Sequence, residues 1–121
     1  MAFKMEKVIM LMGLNHDQFV LVQRGTKTIE IRLYDEKRAQ LKIGHKILFT
    51  DLENNNQITV SVKQLYKFTT FADLYAQFNG AKVGSNSTDN IEKMVNDTYE
   101  IYTPEQERHY GVLAIEMLLG D

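Results

Sequence analysis

Hydrophobic and polar positions alternate most regularly from Lys27 to Tyr34. Ile29, Ile31 and Leu33 fall on one side of an extended chain, and Thr28, Glu30, Arg32 and Tyr34 on the other. This predicts a strand over 27–34. Upstream, Lys7 to Leu14 is apolar nearly throughout, which predicts a strand buried on both faces. Between the two, Asp17 is placed to cap a short helix carrying Phe19, Val20 and Val22, and Gly25 to end it. Asp35 to Leu41 reads as one or two helical turns with Asp35 as N-cap. Ile43-Gly44 then turns into a strand from Lys46 to Leu52. The turn Asn54-Asn55-Asn56 makes a hairpin that returns over Gln57 to Phe68, with Ile58, Val60 and Val62 on one face.

The second half changes period. Thr70 caps a helix with Asp73 at its third position and Phe71, Leu74, Tyr75 and Phe78 as its apolar stripe, and Asn79-Gly80 stops it. Gly84-Ser85-Asn86-Ser87-Thr88 is loop chemistry. A further helix is predicted from about Asp89 to Tyr102, with Ile91, Met94, Val95, Thr98 and Tyr102 on one face. Thr103-Pro104-Glu105-Gln106 is a full capping signature for a short helix that ends near Tyr110-Gly111. The chain closes on a buried strand, Val112 to Leu118.

Strands outnumber the strand–helix alternation that a doubly wound sheet needs. The pattern predicts an α+β fold: a small mixed, mostly antiparallel β-barrel with flanking α-helices, closed so that its short strands leave no free edges. The 121 residues carry no composition shift that marks a boundary and are expected to form one domain over 1–121. At this length about two thirds of the unfolded surface is buried on folding. A 44% hydrophobic and 25% charged composition excludes a disordered chain.

There are no cysteines, which excludes disulfides, thiolate metal sites and thiol nucleophiles. No apolar run nears the roughly 20 residues that cross a bilayer. Near the N-terminus, Glu6 interrupts the apolar stretch and no small-residue cleavage site follows. A cytoplasmic protein without membrane partners is expected. His16, His45 and His109 lack metal-ligand spacing, so no metal is expected, and no glycine-rich cofactor motif occurs. No cofactor is expected.

Charge is unevenly spread. Residues 1–67 hold 11 Lys/Arg against 7 Asp/Glu, while residues 68–121 hold 3 against 9. Seven of the cations lie between Arg24 and Lys46. They form either a solvated face or a surface that meets anions. Glu30 and Arg32, two apart on a strand, share a face ~7 Å apart. Strict alternation turns Lys27 the other way, whereas a bulge near Gly25 and Thr26 turns it toward Glu30. Such a cation–carboxylate–cation set either sits on an open face, where it is worth little, or lines a cleft.

The pattern Gly25-x-Lys27-x-x-Glu30-x-Arg32 resembles the signature of the ASCH domain family, a branch of the PUA-like superfamily. Leu33-Tyr34-Asp35-Glu36-Lys37-Arg38, Ile43-Gly44 and Tyr110-Gly111-Val112-Leu113-Ala114-Ile115 resemble its single-domain prokaryotic members in order and spacing, over nearly the whole chain. His45 departs from the Asp that many members carry there. The resemblance implies a PUA-like barrel whose cleft binds RNA, a nucleotide or a nucleoside, with ligand contacts from Arg24, Lys27, Glu30, Arg32 and Tyr110. It also implies an alternative, a hydrolase acting on N4-acetylcytidine or a ribonuclease, with Lys27 and Glu30 as catalytic residues. Lys27 matches the lysine of those amidohydrolases. Glu30 occupies the position of their threonine, and Phe78 to Val83 offers no carboxylate for their third residue.

Overall fold

In chain order the elements are β1 (Ile9–Leu14), α1 (His16–Gln23), β2 (Ile29–Leu33), a 3-10 turn (Arg38–Gln40), β3 (Lys46–Asp51), β4 (Gln57–Phe68), α2 (Phe71–Gln77), a second 3-10 turn (Gly80–Val83), α3 (Ile91–Thr98), α4 (Pro104–Tyr110) and β5 (Val112–Leu119). The structure is a computed structural model and describes residues 9–120. Lys7 and Val8, the expected start of the first strand, lie outside the described residues.

The strands form one sheet in the order β1-β3-β4-β5-β2. Only β1 and β3 run parallel; the other three neighbouring pairs are antiparallel. The α+β, mostly antiparallel expectation holds, and the sheet curls into a half-barrel flanked by the helices. It does not close by strand pairing: β1 and β2 are its two edges. Side chains stitch the seam instead. Arg32 Nη2 donates to Gly13 O at 2.7 Å, and Lys37 Nζ donates to Leu11 O at 2.8 Å. Two carbonyls of β1, two residues apart and therefore on one side of the strand, are met by cations from β2 and the turn after it.

β5 is buried on both faces over Val112–Ile115, as that apolar run predicts, whereas Glu116 is half-buried and Leu118 is exposed. Leu113, Ile115 and Met117 join the core formed by Met12, Phe19, Phe49 and Val60. Val112 and Ala114 face the other way, toward Phe71, Leu74 and Met94 on α2 and α3. β2 pairs with β5 so that Glu30 lies beside Ile115 and Arg32 beside Leu113. The polar side of β2 therefore shares the face of the first core. Ile29 and Leu33 pack into the second core, while Ile31 is only half-buried.

Caps set the helix limits. Thr70 accepts from Asp73 N at 3.1 Å, and Thr103 and Gln106 exchange both bonds of a capping box. Three expectations are corrected. β1 is an edge strand buried on one face and not on both: Met10, Met12 and Leu14 enter the core, while Ile9 and Leu11 are exposed. Asn15, not Asp17, is the N-cap residue of α1, with no side-chain cap bond, and Asp17 sits in the first turn, where the helix dipole favours a carboxylate. α3 starts after Asn90, whose side chain accepts from Lys93 N, and ends at Thr98. The chain then tightens into i→i+3 bonds at Glu100 and Ile101 before the next cap.

Candidate functional site

α1 ends on Arg24, and Gly25, at φ +81°, takes the left-handed turn that a side chain resists. The backbone N–H groups of Thr26 and Lys27 both reach back to Leu21 O at 3.1 Å. Residues 26–28 are thus held to the end of α1 and precede β2, so strand alternation does not govern Lys27. Its side chain turns inward, 6% exposed, and its Nζ lies 2.8 Å from Glu30 Oε1.

Glu30 is the hub. It is 4% exposed; one oxygen meets Lys27, and the other accepts from Arg32 Nε at 2.8 Å and lies 2.7 Å from Arg32 Nη2. Burial on its own pushes a carboxyl upward, but Lys27 and Arg32 outweigh it and hold Glu30 below its ordinary range. A buried charge set of this kind is tolerated only when every member is paired. Gln18 completes it: its Oε1 accepts from Lys27 Nζ at 2.6 Å while its Nε2 donates to Gly84 O at 3.1 Å. Gly84 has φ +90°, and a Cβ there would collide with Gln18 and press on the Lys27 stem.

This cluster lies in a cleft of about 750 Å³ at the β1–β2 seam. Gly13, Gln18, Gly84, Asp89, Thr98 and Tyr102 are among its lining residues. The lining carries four carboxylates, Asp17, Glu30, Asp89 and Asp97, against three cations, Lys27, Arg32 and Lys93. Lys93 is itself paired with Asp97 at 2.8 Å. The cleft therefore has no excess of positive charge to gather anions. It does have directed donors. Lys27 has three N–H groups and spends two on Gln18 and Glu30. Arg32 Nη1 has no hydrogen-bond partner among the described residues.

A model of the ASCH domain matches residues 12–120. The chain belongs to the ASCH domain family. The family is PUA-like and proposed to bind RNA. The crystal structure of hypothetical protein PH0355 superposes with a TM-score of 0.84 at 34% identity, covering 93% of this chain and all of that one (100%). The solution structure of PF0455 from Pyrococcus furiosus is similar at a TM-score of 0.70 and 31% identity, over 93% of this chain and 97% of that one. An ASCH domain from Lactobacillus crispatus shares the fold at 12% identity and a TM-score of 0.62, over 93% and 79% of the two chains. Comparison with curated proteins gives no match.

Of the residues singled out in this ASCH domain, the structure brings Lys27, Glu30 and Arg32 together. It does not bring Arg24 or Tyr110 to them. Arg24 is exposed at the end of α1, and Tyr110 is exposed at the end of α4, edge-on to His109. Neither lines the cleft. Each sits where a helix terminates, so its side chain leaves the fold rather than entering it. Gln18, Gly84, Tyr75 and Thr98 enter the site without having been singled out for it. For Tyr75 a signal existed: a phenol on an apolar stripe needs a polar partner. No helix among the described residues is long and apolar enough to cross a membrane.

Proposed function

We propose that this ASCH domain binds RNA, a nucleotide or a nucleoside by taking one unpaired base into the cleft at the β1–β2 seam. The observation that carries this reading is the buried Lys27–Glu30–Arg32 set, with unspent donors on Arg32 and Lys27, at the floor of a cleft of about 750 Å³. That size lies within the roughly 300–1,000 Å³ of small-molecule sites. Glu30 holds Arg32 flat and aimed, as an orienting carboxylate does for a planar guanidinium. Unpaired bases are recognised along their polar edges and by aromatic neighbours; Tyr102 and Tyr75 supply the latter here.

The balance of charge favours the base over the phosphate as the group that enters. Both floor cations are already paired with Glu30, and three further carboxylates line the walls. A phosphate of a bound strand stays at the rim. Absence of cysteine fits a reducing compartment, and we place the protein in the cytoplasm on that ground.

Calorimetric titration with nucleosides and with a short single-stranded RNA tests the reading. Wild-type protein binds at least one nucleoside, with affinity nearly independent of salt, and Arg32→Gln weakens it about tenfold or more, the worth of a lost charged hydrogen bond. Unaltered binding by a folded Arg32→Gln, or binding of RNA that tracks salt alone, contradicts it.

A further inference from the structure

Tyr75 and Thr98 both line the cleft, one from α2 and the other from the end of α3. Their hydroxyls lie 2.6 Å apart, and Thr98 Oγ1 lies 2.7 Å from Met94 O. A carbonyl only accepts, so the single Thr98 proton goes to Met94 O. Thr98 Oγ1 must then accept from Tyr75, because two oxygens at 2.6 Å need a proton between them. The direction of the chain is fixed: Tyr75 donates to Thr98, and Thr98 donates to the helix backbone.

Burial raises the Tyr75 phenol above its ordinary range and outweighs the Thr98 hydrogen bond, which lowers it, so the proton stays on it. Tyr75 lines the same cleft as Lys27, Glu30 and Arg32. With its one proton spent, the Tyr75 oxygen has only lone pairs left to offer a ligand. Arg32 and Lys27, by contrast, have only N–H groups.

Resting on the reading of the cleft as a base pocket, we propose that Tyr75 is a specificity residue of fixed polarity: it selects bases that carry an N–H next to the acceptor taken by Arg32 or Lys27. Thr98 is the positioning residue that sets this polarity. The ligand class is a planar amide or amidine edge with donor and acceptor side by side, intact and not methylated at its nitrogen. A base whose N–H is replaced by N–CH3 leaves the lone pairs of the buried Tyr75 oxygen without a donor.

Three nucleoside pairs test this by calorimetry: cytidine and N4,N4-dimethylcytidine, adenosine and N6,N6-dimethyladenosine, uridine and 3-methyluridine. The tightest-binding unmodified nucleoside loses about tenfold or more in affinity on methylation, as expected when a buried acceptor is left unpaired. A methyl group also adds bulk, and Thr98→Val separates the two effects. In that variant the Tyr75 proton is released toward the cleft, so the preference for the unmethylated member shrinks to about twofold. Thr98→Ser keeps the relay and restores the preference. If Thr98→Val does not fold, Tyr75→Phe, which keeps the ring and drops the hydroxyl, carries the same expectation. A preference that survives unchanged in folded Thr98→Val or Tyr75→Phe overturns the proposal, since steric rejection would persist there. Equal binding of both members of each pair by the wild type also overturns it, while leaving the base pocket standing. Failure of all six probes to bind overturns the base pocket and this proposal with it.

Discussion

Two carboxylates of this chain are almost equally buried, Glu30 at 4% and Glu107 at 5% exposure, yet they do different work. Glu107 projects from α4. Its Oε2 accepts from Phe71 N, the first residue of α2, at 2.7 Å, and its Oε1 from Tyr99 OH at 2.6 Å. Its partners among the described residues are a backbone amide and a phenol, and it does not line the seam cleft. It fastens one helix to the start of another. Glu30 instead meets two cations, each with donors to spare, beside open volume. Burial of a charge does not by itself mark a site. Unspent hydrogen-bonding capacity next to a cavity does.

The largest effect expected from this contrast is on Glu30→Ala. It leaves two cations buried without a counter-charge, and urea denaturation should find the protein less stable by ~3–5 kcal/mol. Replacing Lys27 and Glu30 together with apolar residues of similar volume should recover only part of that loss, because Arg32 is left without its counter-charge, while nucleoside binding stays absent. Recovery of binding along with stability breaks the comparison. Glu107→Ala strands an amide and a phenol and should cost ~1–3 kcal/mol, with nucleoside affinity unchanged. A loss of affinity there shows that the two carboxylates are not separable. Tyr99→Phe, which leaves Glu107 the Phe71 amide, should cost about 1 kcal/mol in the same assay.

The smallest effects are in pH dependence, and they run in opposite directions. Glu30 lies below its ordinary value of 4.5, so its contribution is complete above that pH and is lost as the medium is acidified through the lower folded value. His16 bonds Asp51 at 2.7 Å, and this bond raises it above 6.5. Its contribution is complete below that pH and is lost as the pH rises through the higher folded value. Thermal midpoints measured against pH should fall in acid for the wild type and fall less for the Lys27/Glu30 apolar double variant. His16→Gln should flatten the decline above pH 6.5. An acid limb identical in wild type and double variant removes Glu30 from the account.

Much of the fold was legible because its signals are local. The capping box at Thr103–Gln106, the Thr70–Asp73 cap and the apolar run of β5 each act within a few residues; both caps appear as read, and β5 forms as a strand that is buried through Ile115 but exposed at Leu118. The site was legible in part. Glu30 and Arg32 follow from strand alternation, but the direction of Lys27 depends on backbone bonds from residues 26 and 27 to Leu21, which no period encodes. Alternation also labels the Glu30–Arg32 side as polar, with no way to tell solvent from a cleft floor. The seam explains the rest. A closed barrel without free edges was expected; instead β1 and β2 are left as edges, and Arg32 and Lys37 satisfy β1 carbonyls through their side chains. Part of the cationic run between Arg24 and Lys46 is thereby spent on the protein's own backbone. Gln18 and Gly84 meet across 66 positions of sequence, a distance that neither composition nor spacing reports.

The most direct test of the central claim is an amide NMR titration with the nucleoside that binds best. The account predicts that the resonances which move cluster on Gly13, Lys27, Glu30, Gly84 and Thr98, around the seam. Shifts confined to the exposed ends of α1 and α4, at Arg24 and Tyr110, with the seam unmoved, would contradict it.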